Sequence, residues 1–284
     1  MNHLTRAVQI ALEEDTAFGD ITTELTVSEN REASGRFLAK SDGVISGLTV
    51  AAEVFSQIDP RICFRAEITD GEHVHRGDLI GTISGPARGI LLGERVALNF
   101  LQRLSGVATA TAQYIEAVRG TSARIIDTRK TTPGMRLLEK AAVRDGGGHN
   151  HRIGLGDGIL IKDNHLAAVG GATRISDAVR LAKDQSPHTL RVEVEVTNLD
   201  ELDEALAAGP DAILVDNMSI NDMAEAVRRT AGRAILEASG GITLETARAV
   251  AETGVDLISV GALTHSSRAL DISLDFELAQ EQEG

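Results

Sequence analysis

The chain has 284 residues, 42% of them hydrophobic, enough for one large domain or two modest ones with a substantial core. A net charge of −14, no Trp, one Tyr and six Phe count against nucleic acid as a partner, because such binding rewards basic stripes and stacking aromatics. No run of about 18 apolar residues is present, so no membrane span is expected, and the lone Cys63 excludes an internal disulfide and suits a reducing cytoplasm.

The first twenty residues carry Glu13, Glu14 and Asp15 where a signal peptide would need an apolar stretch, which again points to the cytoplasm. From about 33 to 85, short β-like runs (RFLAKSDGVISG and ICFRAEITDGEHVHRGDLIGTISG) are broken by Asp-Gly and Gly-Asp turns, and predict a small, mainly antiparallel sheet. Residues 89–118 read as helix, with Leu91, Leu92, Val96, Leu98, Leu101 and Leu104 at helical intervals.

The stretch 127–165 departs from the rest in charge. It holds seven Lys and Arg against five Asp and Glu, a net of +2, so the remainder sums to −16. His149, His151 and His165 add further donors. A solvated helix face with i,i+4 pairs accounts for Glu139, Lys140 and Arg144. It does not account for GGGHNHR, since each glycine costs roughly 1 kcal/mol inside a helix. This stretch reads as an anion-binding surface on loops.

Beyond it, LRVEVEV, DAILVDN, RAILEAS and DLISVGA begin at 190, 211, 233 and 256, with Ala-rich helical stretches between them. ARIIDTR and GILIKDN supply two earlier strands. Such β-then-α alternation implies parallel strands with crossover helices, and polar residues at successive strand ends favour a barrel over a doubly wound sheet.

In LRVEVEV, period two places Val192, Val194 and Val196 on one face and Glu193 and Glu195 on the other, toward the barrel interior. A carboxylate there needs a partner: a cation, a sugar hydroxyl, a hydrated metal or, most plainly and for Glu193 above all, a salt bridge to an interior Lys or Arg. Asp216 extends the acidic rim. EASGGIT and VGALTHS place small residues after the last two strands, where barrels commonly hold a phosphate on exposed backbone N–H groups. Lys162 in ILIKDN has two readings. It is either a neutral Schiff-base amine in an aldolase-like lyase or a cation that, with Arg129, Lys130, His151 and Arg152, holds a polyanionic ligand. His149-x-His151, without spaced Cys or a second His pair, is a poor zinc site.

DTRKTTPG, EKAAVRDGGGHNHRIGL and LIKDNH, with EEDTAFGDITT, GERVALNFLQRLSGVAT, EASGGIT and VGALTHS, resemble the quinolinate phosphoribosyltransferase family over nearly the whole chain. The resemblance implies an α/β protein with an α+β N-terminal domain: an open-faced sandwich and linking helix over 1–110, an incomplete α/β barrel over 111–268, and a segment 269–284 that returns to the N-terminal domain or frays. It implies transfer of phosphoribosyl from phosphoribosyl pyrophosphate (PRPP) to quinolinate with decarboxylation, Mg2+ as cofactor, and a homodimer or larger assembly of dimers with shared sites. It places Arg129, His151, Arg152 and Lys162 around the two quinolinate carboxylates, with Arg95 arriving from a neighbouring subunit. Lys130 lies between the substrates; Glu195 and Asp216 serve the ribose hydroxyls and magnesium-bound pyrophosphate, directly or through water. Ser239, Gly240 and Gly261 form the 5-phosphate cradle, with Gly241 and His265 beside it. The alternatives are a PRPP-dependent transferase for another aromatic acid, the Lys162 lyase, and a non-catalytic metabolite sensor.

Overall fold

The computed structural model describes residues 2–171 and 174–278, which form two compact units. Of these, the first comprises residues 2–112, 132–147 and 266–278, and the second residues 113–131, 148–171 and 174–265.

In the first unit, four strands make an antiparallel sheet in the order β12-β1-β5-β3, from β1 (Glu32–Ala39), β3 (Cys63–Ala66), β5 (Leu79–Pro86) and β12 (Ile272–Leu278). A two-residue pair, β2 (Gly43–Val44) and β4 (His73–Val74), flanks it. Strand β1 alternates as period two requires, burying Ala33, Phe37 and Ala39 and exposing Glu32, Ser34 and Arg36. Helices α1 (His3–Thr16), α2 (Ile21–Thr26) and α3 (Leu48–Ile58) belong to the same unit. Leu48, Val50, Ala51, Val54 and Phe55 turn the buried face of α3 inward, and Phe37, Phe55 and Phe64 meet there, Phe37 and Phe64 edge-on with centroids 5.4 Å apart. A sheet with helices over one face is the open sandwich that the resemblance implied, and α3 is the element that the strand-like reading of 33–85 passed over.

The long helix α4 (Ala87–Ala117) occupies almost the expected span. Strand β12 pairs with β1 from Ile272 to Leu278, so this much of the C-terminal segment adds a strand to the sandwich; the tail beyond 278 lies outside the described residues.

Residues 132–147, inside the stretch expected as barrel, cluster with this first unit. They include α5 (Arg136–Asp145), where Arg144 is exposed as its spacing suggested but Glu139 and Lys140 are not on a solvated face. Glu139 and Lys140 are 0% and 1% exposed. Glu139 Oε1 takes Arg103 Nη2 at 2.7 Å and the Thr132 hydroxyl at 2.7 Å, and its Oε2 takes the Thr132 amide at 3.0 Å. A carboxylate so supplied with donors can stay charged away from water.

The second unit is a six-stranded parallel sheet in the order β6-β11-β10-β9-β8-β7. Its strands are β6 (Arg124–Ile126), β7 (Ile159–Ile161), β8 (Val192–Val196), β9 (Ala212–Asp216), β10 (Ile235–Ser239) and β11 (Leu257–Ser259). The crossovers are α6 (Asp163–Val169) and α7 (Arg174–Gln185), then α8 (Leu199–Ala208), α9 (Ile220–Thr230) and α10 (Leu244–Glu252), with the single turn α11 (Ala262–His265) after β11. Among the described residues the end strands β6 and β7 do not pair with each other, and β6 instead makes an isolated bridge from Ile126 to His149, so the barrel is incomplete. Every strand expected from the apolar runs is present. No helix among the described residues is long and apolar enough to cross a membrane.

Candidate active site

A cavity of about 530 Å³ opens at the C-terminal ends of the parallel strands. It brings together Arg129 and Lys130 after β6, Lys162 after β7, Glu195 on β8, Asp216 at the end of β9, and Ser239, Gly240 and Gly241 after β10. His151 and Arg152, from the glycine-rich loop, complete its wall. Parallel strands bring these residues to one end of the sheet: Asp216 pairs with Ser239, and Glu195 with Leu214, two residues before Asp216. Backbone carbonyls and amides are taken up in the ladders, so the side chains at the strand ends are left to meet a ligand.

Lys162 Nζ lies 2.5 Å from Glu195 Oε2, which makes Glu195, not Glu193, the acid paired with an interior lysine. Lys162 keeps 45% of its side chain exposed whereas Glu195 keeps 9%. The nitrogen that a Schiff base would use is thus engaged by a carboxylate. Asp216 accepts from Asn217 Nδ2 at 2.7 Å, and Asn217 itself holds a left-handed φ of 54°.

Two glycines are dictated by space. Gly240 has φ +90°, and a Cβ there would fall 2.8 Å from the Asn217 amide nitrogen. At Gly261 a Cβ would stand 3.1 Å from Lys130 Cδ and 3.3 Å from the His265 ring. Gly261 and His265 do not line the cavity; they back Lys130, whose carbonyl accepts from Thr264 Oγ1 at 2.8 Å. Arg95 lies in the other unit, where it lines a separate cavity of about 290 Å³ with Glu14, Asp15 and Asn99.

The loop GGGHNHR is held from beneath by Asp127, which is fully buried. Its Oδ1 accepts the His151 amide at 2.8 Å and its Oδ2 accepts Asn150 Nδ2 at 2.7 Å. The Arg152 guanidinium donates to Gly158 O at 2.9 Å. Burial, and then repulsion from Arg129, lowers the Arg152 pKa: these two cations are close enough to oppose each other, as expected where an anion is to be received.

Below the rim lies a second layer. Glu193 and Glu237, each two residues before a rim residue of its strand, face His151 Nε2 at 3.3 and 3.5 Å. Glu237 is 2% exposed, and burial, then the charge of Glu193, raises its carboxyl well above the ordinary range. Asp127 had been counted only as charge, and Glu237 was missed altogether. Period two in ILEAS, which sets Glu237 on the same face as Ser239, was the signal that could have found it. His151, Glu193 and Glu237 each bring one donor atom within 4.8 Å of the others, a spacing that a small cation could bridge.

Comparison with known proteins shows the family. Models of the quinolinate phosphoribosyl transferase N-terminal and C-terminal domains match residues 20–105 and 107–275. The chain is 48% identical over 276 residues to the nicotinate-nucleotide pyrophosphorylase [carboxylating] of Mycobacterium leprae, covering 94% of this chain and 95% of that protein. It is 43% identical over 283 residues to the probable nicotinate-nucleotide pyrophosphorylase [carboxylating] of Bacillus subtilis, covering 99% and 96%. The solved nicotinate-nucleotide pyrophosphorylase of Francisella tularensis superposes with a TM-score of 0.90 at 42% identity, over 97% of this chain and 96% of that one.

Proposed function

Because the chain belongs to the quinolinate phosphoribosyl transferase family, we propose that it transfers the phosphoribosyl group of PRPP to quinolinate with loss of carbon dioxide, giving nicotinate mononucleotide and pyrophosphate in de novo NAD synthesis. The observation that carries this reading is the convergence of Arg129, Lys130, Arg152 and Lys162 on one cavity beside Glu195, Asp216 and the Ser239-Gly240-Gly241 turn. Four cations exceed what one phosphate needs. They suit a dicarboxylate next to a phosphorylated sugar.

Arg129, His151, Arg152 and Lys162 form the quinolinate side of the site, with Arg95 contributed by a second copy of the chain. An assembly of that kind, a homodimer or a larger set of dimers, is also supported by the large apolar side chains exposed on α1, α2 and the turn between them: Ile10, Phe18, Ile21 and Leu25. Ser239 and Gly240 cradle the 5-phosphate, with Gly241 beside them and Gly261 leaving room for the Lys130 side chain. Lys130 stands between the two substrates. Cys63, exposed and single, fits a cytoplasmic setting.

Glu195 and Asp216 present carboxylate oxygens at one rim, a hard-donor set suited to Mg2+, which usually takes one or two carboxylates and completes its shell with water and phosphate oxygens. When bound, magnesium would neutralise charge on the departing pyrophosphate. The cations position quinolinate so that its ring nitrogen faces the ribose carbon that carries pyrophosphate. The nitrogen lone pair forms the new bond as the carbon–oxygen bond to pyrophosphate breaks, and the two carboxylates favour the positive charge that develops on the sugar. The pyridine nitrogen is then cationic. Its charge stabilises the electron pair that stays on the adjacent carbon when that carboxylate leaves as carbon dioxide, and that pair then takes a proton from water.

Incubation with quinolinate, PRPP and magnesium should yield nicotinate mononucleotide, pyrophosphate and carbon dioxide in equal amounts. Preference for nicotinate over quinolinate as acceptor would sink the substrate assignment. Reduction by borohydride in the presence of a carbonyl substrate should leave Lys162 unmodified.

A further inference from the structure

The imidazole of His151 has both nitrogens directed at protein atoms. Its Nδ1 accepts the main-chain N–H of Arg152 at 2.6 Å, so the ring proton sits on Nε2. Nε2 in turn faces Glu193 Oε2 at 3.3 Å and Glu237 Oε2 at 3.5 Å. The second oxygens of both acids, Glu193 Oε1 and Glu237 Oε1, are buried without a hydrogen-bond partner among the described residues. A buried carboxylate pair with orphaned oxygens is costly to keep, which calls for a reason beyond packing.

A cation bridging the three groups would be one reason, but it requires a lone pair on Nε2, and the Arg152 amide pointing at Nδ1 leaves that lone pair to a proton. The ring is instead a link in a chain: carboxylates, then Nε2–H, then Nδ1, then the Arg152 amide. The arginine at the end of the chain is held a second time through its guanidinium on Gly158 O. Both anchors act on a residue that lines the cavity.

We propose that Glu237, assisted by Glu193, is a positioning residue of the carboxylate clamp: it receives the Nε2–H edge of His151 and thereby keeps Nδ1 against the Arg152 main chain, setting the guanidinium toward the ligand. This rests on the quinolinate reading of the cavity. It gives His151 its part in that site by holding Arg152, and it explains why a strand that lines a phosphate cradle also carries a buried glutamate. Glutamine can take the place of a neutral acid here, because its carbonyl accepts from Nε2–H and its amide can face Glu193; leucine can do neither.

Two variants and one spectrum test this. Glu237→Leu should raise KM for quinolinate by about tenfold, roughly the net worth of one good hydrogen bond, and leave KM for PRPP near the wild-type value. Glu237→Gln should recover most of that loss. Equal rises in both KM values, or a Gln variant as impaired as Leu, would assign Glu237 to general packing and overturn the proposal. Nitrogen-15 NMR of histidine-labelled wild-type protein, with His151→Asn to identify the signals, should show His151 protonated at Nε2 and bare at Nδ1. The opposite tautomer would make the cluster a cation site and end the positioning role. The spectrum needs no substrate, so an inactive wild-type protein would count against the reaction while this arm still decides the inference.

Discussion

Glu195 and Glu193 point from the same face of β8 and are two residues apart, yet they lead opposite lives. Glu195 reaches the rim and meets Lys162 at 2.5 Å, in a cavity that water and substrate can enter. Glu193 stops one layer lower, against a second carboxylate and a histidine. The rim pairs an acid with a cation that can be recruited by a ligand, while the layer below pairs acids with each other and relies on a proton and an imidazole for compensation. Position along a strand, a matter of about 7 Å for two residues, separates charge that takes part in binding from charge that holds the binders in place.

The largest expected break in that contrast comes from Lys162→Ala. It should lower kcat/KM for quinolinate by about 100-fold, as the loss of a charge-assisted contact to the ligand implies. Because the lysine is nearly half exposed, stability should fall far less than for a fully buried pair, measurable by urea denaturation. A variant with intact turnover would place the clamp elsewhere. Next is Gly240→Ala, which forces a left-handed φ of +90° on an L-residue and sets its Cβ against Asn217. At about 1–2 kcal/mol of backbone strain, KM for PRPP should rise roughly tenfold, with quinolinate binding unchanged.

Glu237→Gln sharpens the lower layer through pH. The folded protein raises the Glu237 pKa, so it retains this proton where the unfolded chain has released it. The associated stability is complete below the unfolded pKa and is lost as pH rises toward the folded value. Glutamine cannot ionise, and the Tm of the variant relative to wild type should therefore climb as pH rises above the ordinary carboxylate range. A difference that stays flat with pH would mean that the acid pair does not share a proton in this way. The smallest effect belongs to a surface acid. Glu225 is lowered to about 2 by hydrogen bonds from Arg228 and Arg229, but it lies in solvent, and Glu225→Gln should leave Tm and turnover within error of wild type.

Much of this contrast was legible in the chain. Period two in VEVEV placed Glu193 and Glu195 on the interior face, and the spacing of four apolar runs put both in a parallel barrel. The same arithmetic applied to ILEAS would have added Glu237. What periodicity could not tell was which acid met the lysine, because Lys162 comes from β7 and its reach depends on how far β7 and β8 extend past each other. Nor could it separate α5 from the loops around it. Glu139 and Lys140 have the spacing of solvated pairs, and it takes Arg103, arriving from 36 residues away, together with Thr132 to make burial of that carboxylate tolerable.

By itself the sequence determined the elements and their order, the family, and the supply of cations at the strand ends, since each rests on local periodicity, turn chemistry or motif. The tertiary structure alone decided the partners: Glu195 with Lys162, Glu139 with Arg103, and His151 between Arg152 and two buried acids. Charges act over a few ångströms, and residues that distant in the chain come within that range only after the sheets have closed.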